Sequence, residues 1–376
     1  MKLFEYQAKE IFRKYGIKTP AGMLFEKPDF DTTFEGIGYP AVIKSQVLRG
    51  GRGKAGLIRF AGNWKEAAAA ADDLYKSEHN VSKLLVEKTV DIRKEIYLSV
   101  TIDPEAAAAL VIACADGGVE VEAIAKAAPE KILRERIDIE RGILPFQAKI
   151  IAFSLGLEGD EIKGVSSTIM KLYSAFRGYD AELAEINPLF ITRDGDVIAG
   201  DGKFVIDDAM LSAHPEYSIG REYFESDAEY EAALDGIPYL QFDGGISLMC
   251  AGAGLTTAVY DLISDEGGSV ANYLEFGGPN YRRAKRAMEL CLKNDSKVIL
   301  IVTFGTIARA DVMAEGIVEA IKELKPRVPI VTCIRGTNEE EAVAILKAAG
   351  LEPIFDTEEA VRKAVAISNG VSGGHV

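Results

Sequence analysis

A basic, glycine-rich run, K-S-Q-V-L-R-G-G-R-G-K-A-G, spans residues 44–56, directly after the apolar stretch Y-P-A-V-I. Lys44, Arg49, Arg52 and Lys54 supply positive charge. Glycines 50, 51, 53 and 56 let backbone N–H groups come close to an anion. This combination suits a grip on phosphate. The G-x-x-x-x-G-K-[ST] spacing of a Walker loop is absent, and so is its hydroxyl for Mg²⁺. A nucleotide held here is held by another architecture. On local composition alone, a basic surface loop is the competing reading.

A second constellation lies on two strands, 182–192 and 197–207, around R-D-G-D. A turn at Arg193, Asp194 and Gly195, with Gly195 left-handed, sets Asn187 opposite Asp201 and Glu185 opposite Lys203. Directly opposed residues point to one face. An amide oxygen beside a carboxylate suits Mg²⁺, which completes its shell with water and phosphate oxygens. A two-residue turn would shift the register by one and split the set across two faces. A third candidate is L-L-V-E-K-T-V-D-I-R-K-E at 84–95, where Glu87 and Glu95 flank a strand junction and can accept from a base or ribose. Ordinary surface charge is the alternative there.

Several elements must position these groups. Apolar spacing predicts a helix over 3–15, with Leu3, Phe4, Ile11, Phe12 and Tyr15 on one side. Strands are predicted at 41–45, 83–88, 95–102 and 108–115, and helices at 64–75, 145–155 and 161–177. An acidic stretch at 214–236 reads as a linker with a short helix. After Gly244 the pattern changes to repeated strand–helix units. Strands at 246–251, 270–276, 298–304 and 329–334 are each followed by a turn and a helix, and a last unit ends near residue 368. That grammar predicts a parallel doubly wound sheet. Its loops at 251–254, 277–280, 305–308 and 335–337 should share the carboxyl edge, where ligands of such sheets sit. The fold class is α/β with an α+β part.

Bulk properties exclude several classes. A length of 376 residues exceeds a single core. A net charge of −15 argues against nucleic acid as a partner. The longest apolar stretch, 106–115, is about half of a membrane span, and no signal peptide is evident at the N-terminus. Cysteines 114, 250, 291 and 333 form no C-x-x-C pair, which speaks for a reducing, cytoplasmic setting. His79, His214 and His375 have no metal-ligand spacing; the first two read as lying in polar loops.

Taken together, these residues resemble the β subunit of succinyl-CoA synthetase, the succinate–CoA ligase family. The resemblance runs through L-F-E-Y-Q-A-K-E at 3–10, the basic loop, the glutamate segment, G-G-V-E at 117–120, E-I-N-P-L at 185–189, D-G-K at 201–203 and the terminal array. It implies an N-terminal ATP-grasp nucleotide-binding domain over 1–235, with an inserted subdomain near 20–100. A flavodoxin-like CoA-ligase domain over 240–370 and a disordered tail at 371–376 would follow. It implies that Lys44, Gly51, Arg52, Gly53, Glu87 and Glu95 hold ATP or GTP. Val90 would contribute through its backbone, since the family has Thr there. Asn187 and Asp201 would bind Mg²⁺.

The implied reaction joins a small carboxylic acid to CoA at the expense of a nucleoside triphosphate, through an acyl phosphate and a phosphohistidine. That histidine and most of the CoA site would belong to an α subunit, in an αβ or α₂β₂ assembly. Glu185 would steady the phosphohistidine. The acid would meet Cys250, Gly305, Thr306, Ile307 and Ala308. Here the chain departs from the family: Cys250 stands for Asn, Thr306 for Gly and Pro279 for Gly. Cys is at best a weak donor toward a carboxylate. The acid is therefore succinate or another short dianion such as sulfoacetate, malate or citrate. A carboxylate–amine ligase and a nucleotide-sensing subunit are more remote readings.

Overall fold

The computed structural model describes residues 1–26, 37–48, 50–277, 282–305 and 308–370. Arg49, Pro279, Thr306, Ile307, His375 and the expected tail at 371–376 lie outside the described residues. The chain divides into two compact units, Met1–Ser218 and Ile219–Val376.

In the first unit, helix α1 (Glu5–Lys14) opens the chain, and the Gln7 side chain accepts from the Phe4 N–H to close its first turn. Strands β1 (Gly22–Glu26), β2 (Ala41–Ser45), β3 (Ile58–Ala61) and β4 (Lys83–Lys88) form an antiparallel sheet in the order β1-β4-β2-β3. Helix α2 (Trp64–Tyr75) is capped by Asn63 and buries Ala67, Ala71 and Leu74 with Ile43, Leu84 and Val86 of that sheet. The basic loop is the connection between β2 and β3.

A second antiparallel sheet contains β5 (Ile92–Asp103), β6 (Ala108–Cys114), β7 (Leu133–Ile137), β8 (Ala181–Thr192), β9 (Val197–Ala199) and β10 (Lys203–Ile206). Its order is β10-β8-β5-β6-β7, with β9 beside β8. Between these strands lie the helices α3 (Val121–Ala127), α4 (Pro145–Ser154) and α5 (Asp160–Gly178). Helix α5 buries Val165, Ile169, Leu172 and Phe176, a helical stripe, in the core with Ala184, Ile186 and Leu189 of β8. The expected single strand at 197–207 is broken at 200–202 into β9 and β10.

The second unit carries α6 (Asp227–Leu234), β11 (Tyr239–Gln241), β12 (Ile246–Cys250), α7 (Ala253–Asp265), β13 (Val270–Leu274), α8 (Ala284–Cys291), β14 (Val298–Gly305), α9 (Ala310–Leu324), β15 (Ile330–Gly336), α10 (Glu339–Ala348) and α11 (Thr357–Ser368). The sheet order is β11-β13-β12-β14-β15, parallel except for β11. Residues of α8, α9 and α10 pack in the core of one face, and those of α7 and α11 in the core of the other.

Two expectations change here. The first unit ends at Ser218, not near 235, because α6 is part of the second unit's core. Ala228 and Ala232 pack with Phe276 and Met288, and Arg286 bridges Glu231 (2.9 Å) and Asp235 (2.6 Å). The final strand of the array shrinks to one bridge between Thr332 and Pro353. Among the described residues, no helix is long and apolar enough to cross a membrane.

Candidate functional site

The basic loop folds on itself. Ala55 N–H donates to Gly51 O (3.0 Å), Leu57 N–H to Arg52 O (2.9 Å) and Ser45 N–H to Leu57 O (3.0 Å). Gly51 and Gly56 take φ of +71° and +69°, values that favour glycine. This fold sends the Arg52 side chain inward. Its guanidinium donates to Glu5 Oε2 (2.6 Å) and to both oxygens of Asp201 (2.7 and 2.8 Å).

Lys44, at the end of β2, meets Glu5 Oε1 (2.8 Å), Glu87 Oε2 (2.8 Å) and the Gly200 carbonyl (2.6 Å). Gln46 reaches Glu5 Oε2 at 3.4 Å and accepts from the Tyr6 N–H at 3.0 Å. Three cations, Lys9, Lys44 and Arg52, thus interleave with three carboxylates, Glu5, Glu87 and Asp201. The cluster is charge-balanced and mostly buried, which a low-dielectric site demands. Burial pushes the Glu5 carboxyl upward, but Arg52, Lys44 and Lys9 outweigh it and hold it well below the usual range. Burial likewise opposes the charge of Lys44, and Glu5, Glu87 and Asp201 more than restore it, so its ammonium is raised above the ordinary value.

Glu5 and Lys9 were not among the residues expected to do chemistry. A Glu–Lys pair four apart on a helix ordinarily reads as an exposed ion pair. Only the inward side of this face, next to Ile11 and Phe12, hints otherwise.

The hairpin has the expected register. Gly195 is left-handed at φ +84°, and its N–H donates to Thr192 O at 3.1 Å. Lys203 pairs with Glu185, and Leu189 with Ala199. Asn187 and Asp201 fall in the break between those two ladders, where Gly200 N–H donates to Pro188 O at 2.9 Å. Each of these two oxygen donors is engaged by protein. Asn187 Oδ1 accepts from Gly118 N–H (2.8 Å), and its Nδ2 donates to Val119 O (3.0 Å). Asp201 holds Arg52. The loops carrying Gly118 and Arg52 are joined at the surface by Lys54 and Glu120 at 2.6 Å.

One amide oxygen and one carboxylate are hard donors that fit Mg²⁺ bound together with nucleotide phosphates. Among the described residues no cluster of three Asp, Glu, His or Cys side chains offers a closed metal site.

Glu185 accepts from Tyr97 Oη at 3.0 Å, and burial, with Asp201 nearby, raises its carboxyl above the ordinary range despite Lys203. Glu95, half-buried in the first part of β5, is raised by burial too. It abuts Gly118, whose φ is +74° and where a Cβ would lie 2.3 Å from Glu95 Oε2. Val90 sits in the short connection from β4 to β5. Glu87 differs from its expected setting. It is 2% exposed and its carboxylate is committed to Lys9 and Lys44, while it also lines a cavity of about 210 Å³ with Tyr6, Pro20, Gly22 and Leu24.

In the second unit the described residues of the expected loops share an edge. Ala251 N–H donates to Val302 O (3.0 Å), and Thr337 N–H to Gly305 O (2.9 Å). A Cβ on Gly277 would meet Gly252 N at 2.8 Å, and one on Gly305 would meet Ala308 O at 2.2 Å. Ala308 is half-buried against the core. Cys250 departs from expectation. It has 0% exposure among Ile246, Leu248 and Val302, and burial keeps its thiol neutral by raising it far above the ordinary value. Its side chain faces the core and offers nothing to a ligand. His214 also differs. It is buried, paired with Asp180 Oδ2 at 3.0 Å and stacked on Tyr179, a structural setting.

The ATP-grasp domain family matches residues 2–191, and the CoA-ligase family matches residues 249–367. The chain is 59% identical over 371 residues to the ADP-forming sulfoacetate-CoA ligase subunit SauC of Bilophila wadsworthia, covering 98% of this chain and 100% of that protein. It is 55% identical over 370 residues to the ADP-forming sulfoacetate-CoA ligase subunit SqwK of an Acholeplasma species, covering 98% and 92%. It is 41% identical over 375 residues to the succinate–CoA ligase [ADP-forming] subunit beta of Ignicoccus hospitalis, covering 98% and 99%. The ATP citrate lyase of Methanothrix soehngenii, solved with citrate and coenzyme A, shares the fold with a TM-score of 0.75 at 20% identity, covering 98% and 99%.

Proposed function

This chain belongs to the β subunits of ADP-forming CoA ligases, and from that premise we propose that it is the nucleotide-binding subunit of a sulfoacetate–CoA ligase. The observation that carries the nucleotide half is the convergence of Lys44 and Arg52 on Glu5, Glu87 and Asp201 inside the first unit. Two cations held in a closed set of carboxylates can be redirected to a triphosphate without moving the scaffold. Gly51 and Gly53 leave room for their N–H groups beside the phosphates. The Val90 backbone and Glu95 flank the base and ribose, and Glu87 acts behind them through its pairing with Lys44.

Mg²⁺ arriving with the nucleotide would be held by Asn187 and Asp201 and would offset phosphate charge. Glu185, poised next to Lys203, accepts from the imidazole N–H of a histidine on a partner α subunit and orients the ring for phosphorylation. ATP is the nucleotide favoured by the ADP-forming relatives, and the reaction is assigned to the cytoplasm, where ATP and CoA are available.

Identity above one half to two sulfoacetate-CoA ligase subunits supports sulfoacetate as the acid. Its sulfonate keeps its charge throughout and serves as the handle, while the carboxylate becomes the thioester. Thr306, Gly305, Ile307, Ala308 and the backbone at Cys250 remain the proposed acid contacts. With the Cys250 thiol in the core, Thr306, which has a hydroxyl where the family has Gly, is the substitution left to distinguish the acid. The test is CoA-dependent ADP release by the complex with its partner subunit, over sulfoacetate, succinate, malate and citrate. Sulfoacetate should exceed succinate in kcat/KM by about tenfold or more, the discrimination of one charged hydrogen bond. A preference for succinate refutes the acid assignment, and no turnover with any acid refutes the subunit's role.

A further inference from the structure

Lys9 lies one helical turn after Glu5 on α1 and is 1% exposed. Lysine is almost never buried this deeply unless it is paired. Its ammonium donates to Glu5 Oε1 (2.8 Å), to both oxygens of Glu87 (2.6 and 2.7 Å) and to the Gly200 carbonyl (2.8 Å). Lys44 touches the same three partners. Two ammoniums therefore share two carboxylates and one carbonyl. Within this set it is a duplication, since either cation satisfies those acceptors in part and each repels the other.

The duplication acquires a purpose when a phosphate arrives. Lys44 has an 11% exposed side chain, ahead of the basic loop, whereas Lys9 is sealed. If Lys44 turned to a phosphate without Lys9, Glu87 would lose its remaining charged partner and Glu5 would keep only Arg52, itself drawn toward the phosphates. Uncompensated buried carboxylates are costly. They would hold Lys44 back instead.

We propose that Lys9 is a positioning residue for nucleotide binding: it keeps Glu5 and Glu87 neutralised so that Lys44 can leave them for the phosphates. This rests on the nucleotide reading above. Lys9 touches no substrate. It sets how tightly Lys44 is retained.

The test is calorimetric titration of MgADP and, separately, of CoA into the complex with its partner subunit. Lys44→Met is the control for the nucleotide reading. If it binds MgADP as the wild type does, that reading fails, whatever Lys9 does. With Lys44→Met impaired, Lys9→Met should weaken MgADP on the order of 30-fold and leave CoA unchanged. The double variant Glu5→Gln/Lys9→Met removes one charge of each sign and should recover about tenfold or more of that loss. A purely structural lysine would leave the MgADP affinity of the folded Lys9→Met protein near that of the wild type. Wild-type affinity in Lys9→Met, or a double variant no tighter than Lys9→Met, overturns the proposal. If Lys9→Met does not fold, the double variant alone decides. Binding within about threefold of wild type supports the proposal, and weaker binding overturns it.

Discussion

Replacing Glu5 by Gln keeps the shape of the side chain and deletes one charge from the centre of the cluster. Glu5 faces Lys9 and Lys44 at 2.8 Å and Arg52 at 2.6 Å. Gln can still accept through its oxygen, but its amide donates where a carboxylate oxygen accepted. Three buried cations would then face two carboxylates. Breaking a buried pair in this way costs about 3–5 kcal/mol. The retained acceptor favours the lower figure, about 3 kcal/mol. For a unit of 218 residues, Met1–Ser218, that corresponds to a fall in Tm of about 6–12 °C.

The pH dependence has a defined sign. Glu5 is depressed in the fold, so its stabilisation is complete above its unfolded value of about 4.3 and is lost as pH falls through the folded value. The Tm gap between wild type and Glu5→Gln should therefore be full at neutral pH and narrow steadily below about pH 4. Circular dichroism melts across that range measure it. A gap below about 2 °C at neutral pH, or one unchanged down to about pH 2, would refute the reasoning.

Further outcomes are expected elsewhere. Asp201→Ala should abolish the difference in nucleotide affinity with and without Mg²⁺ and lower phosphorylation of the partner about 100-fold; unchanged phosphorylation counts against the hairpin as a metal site. Gly118→Ala pairs a left-handed backbone with a methyl against Glu95, and should cost about 1–2 kcal/mol in stability by denaturant titration. All four cysteines are buried, so a thiol reagent should label the native chain slowly and label all four after denaturation; rapid native labelling of Cys250 would mean its side chain opens to solvent.

Much of the site was legible because it depends on local rules. The basic loop followed from composition after a strand, and the pairing of Glu185 with Lys203 followed from one glycine in one turn. The parallel array was readable from repeated apolar strands. What escaped depends on long-range packing. Glu5 and Lys9 look like a solvated pair until the fold brings Lys44 of β2 and Glu87 of β4 against them. The short β1 and β3 have weak alternation and are strands because β4 and β2 pair with them. Helix α6 is acidic and reads as part of a linker, yet Ala228 and Ala232 commit it to the second core. The family resemblance puts Cys250 in the acid pocket, and only the direction of its side chain in β12 makes it a core residue.

The engagement of Asp201 by Arg52, and of Asn187 by Gly118, has a bearing on the order of events. A lone divalent cation must displace a guanidinium and a backbone N–H and brings nothing for Arg52 in return. The nucleotide complex brings both members of the exchange, an anion for Arg52 and a cation for Asp201. On the proposed reading, the subunit is indifferent to free magnesium and counts the complex as a single currency. Nucleotide without its metal takes Arg52 and leaves Asp201 bare, which makes it a competitor rather than a substrate.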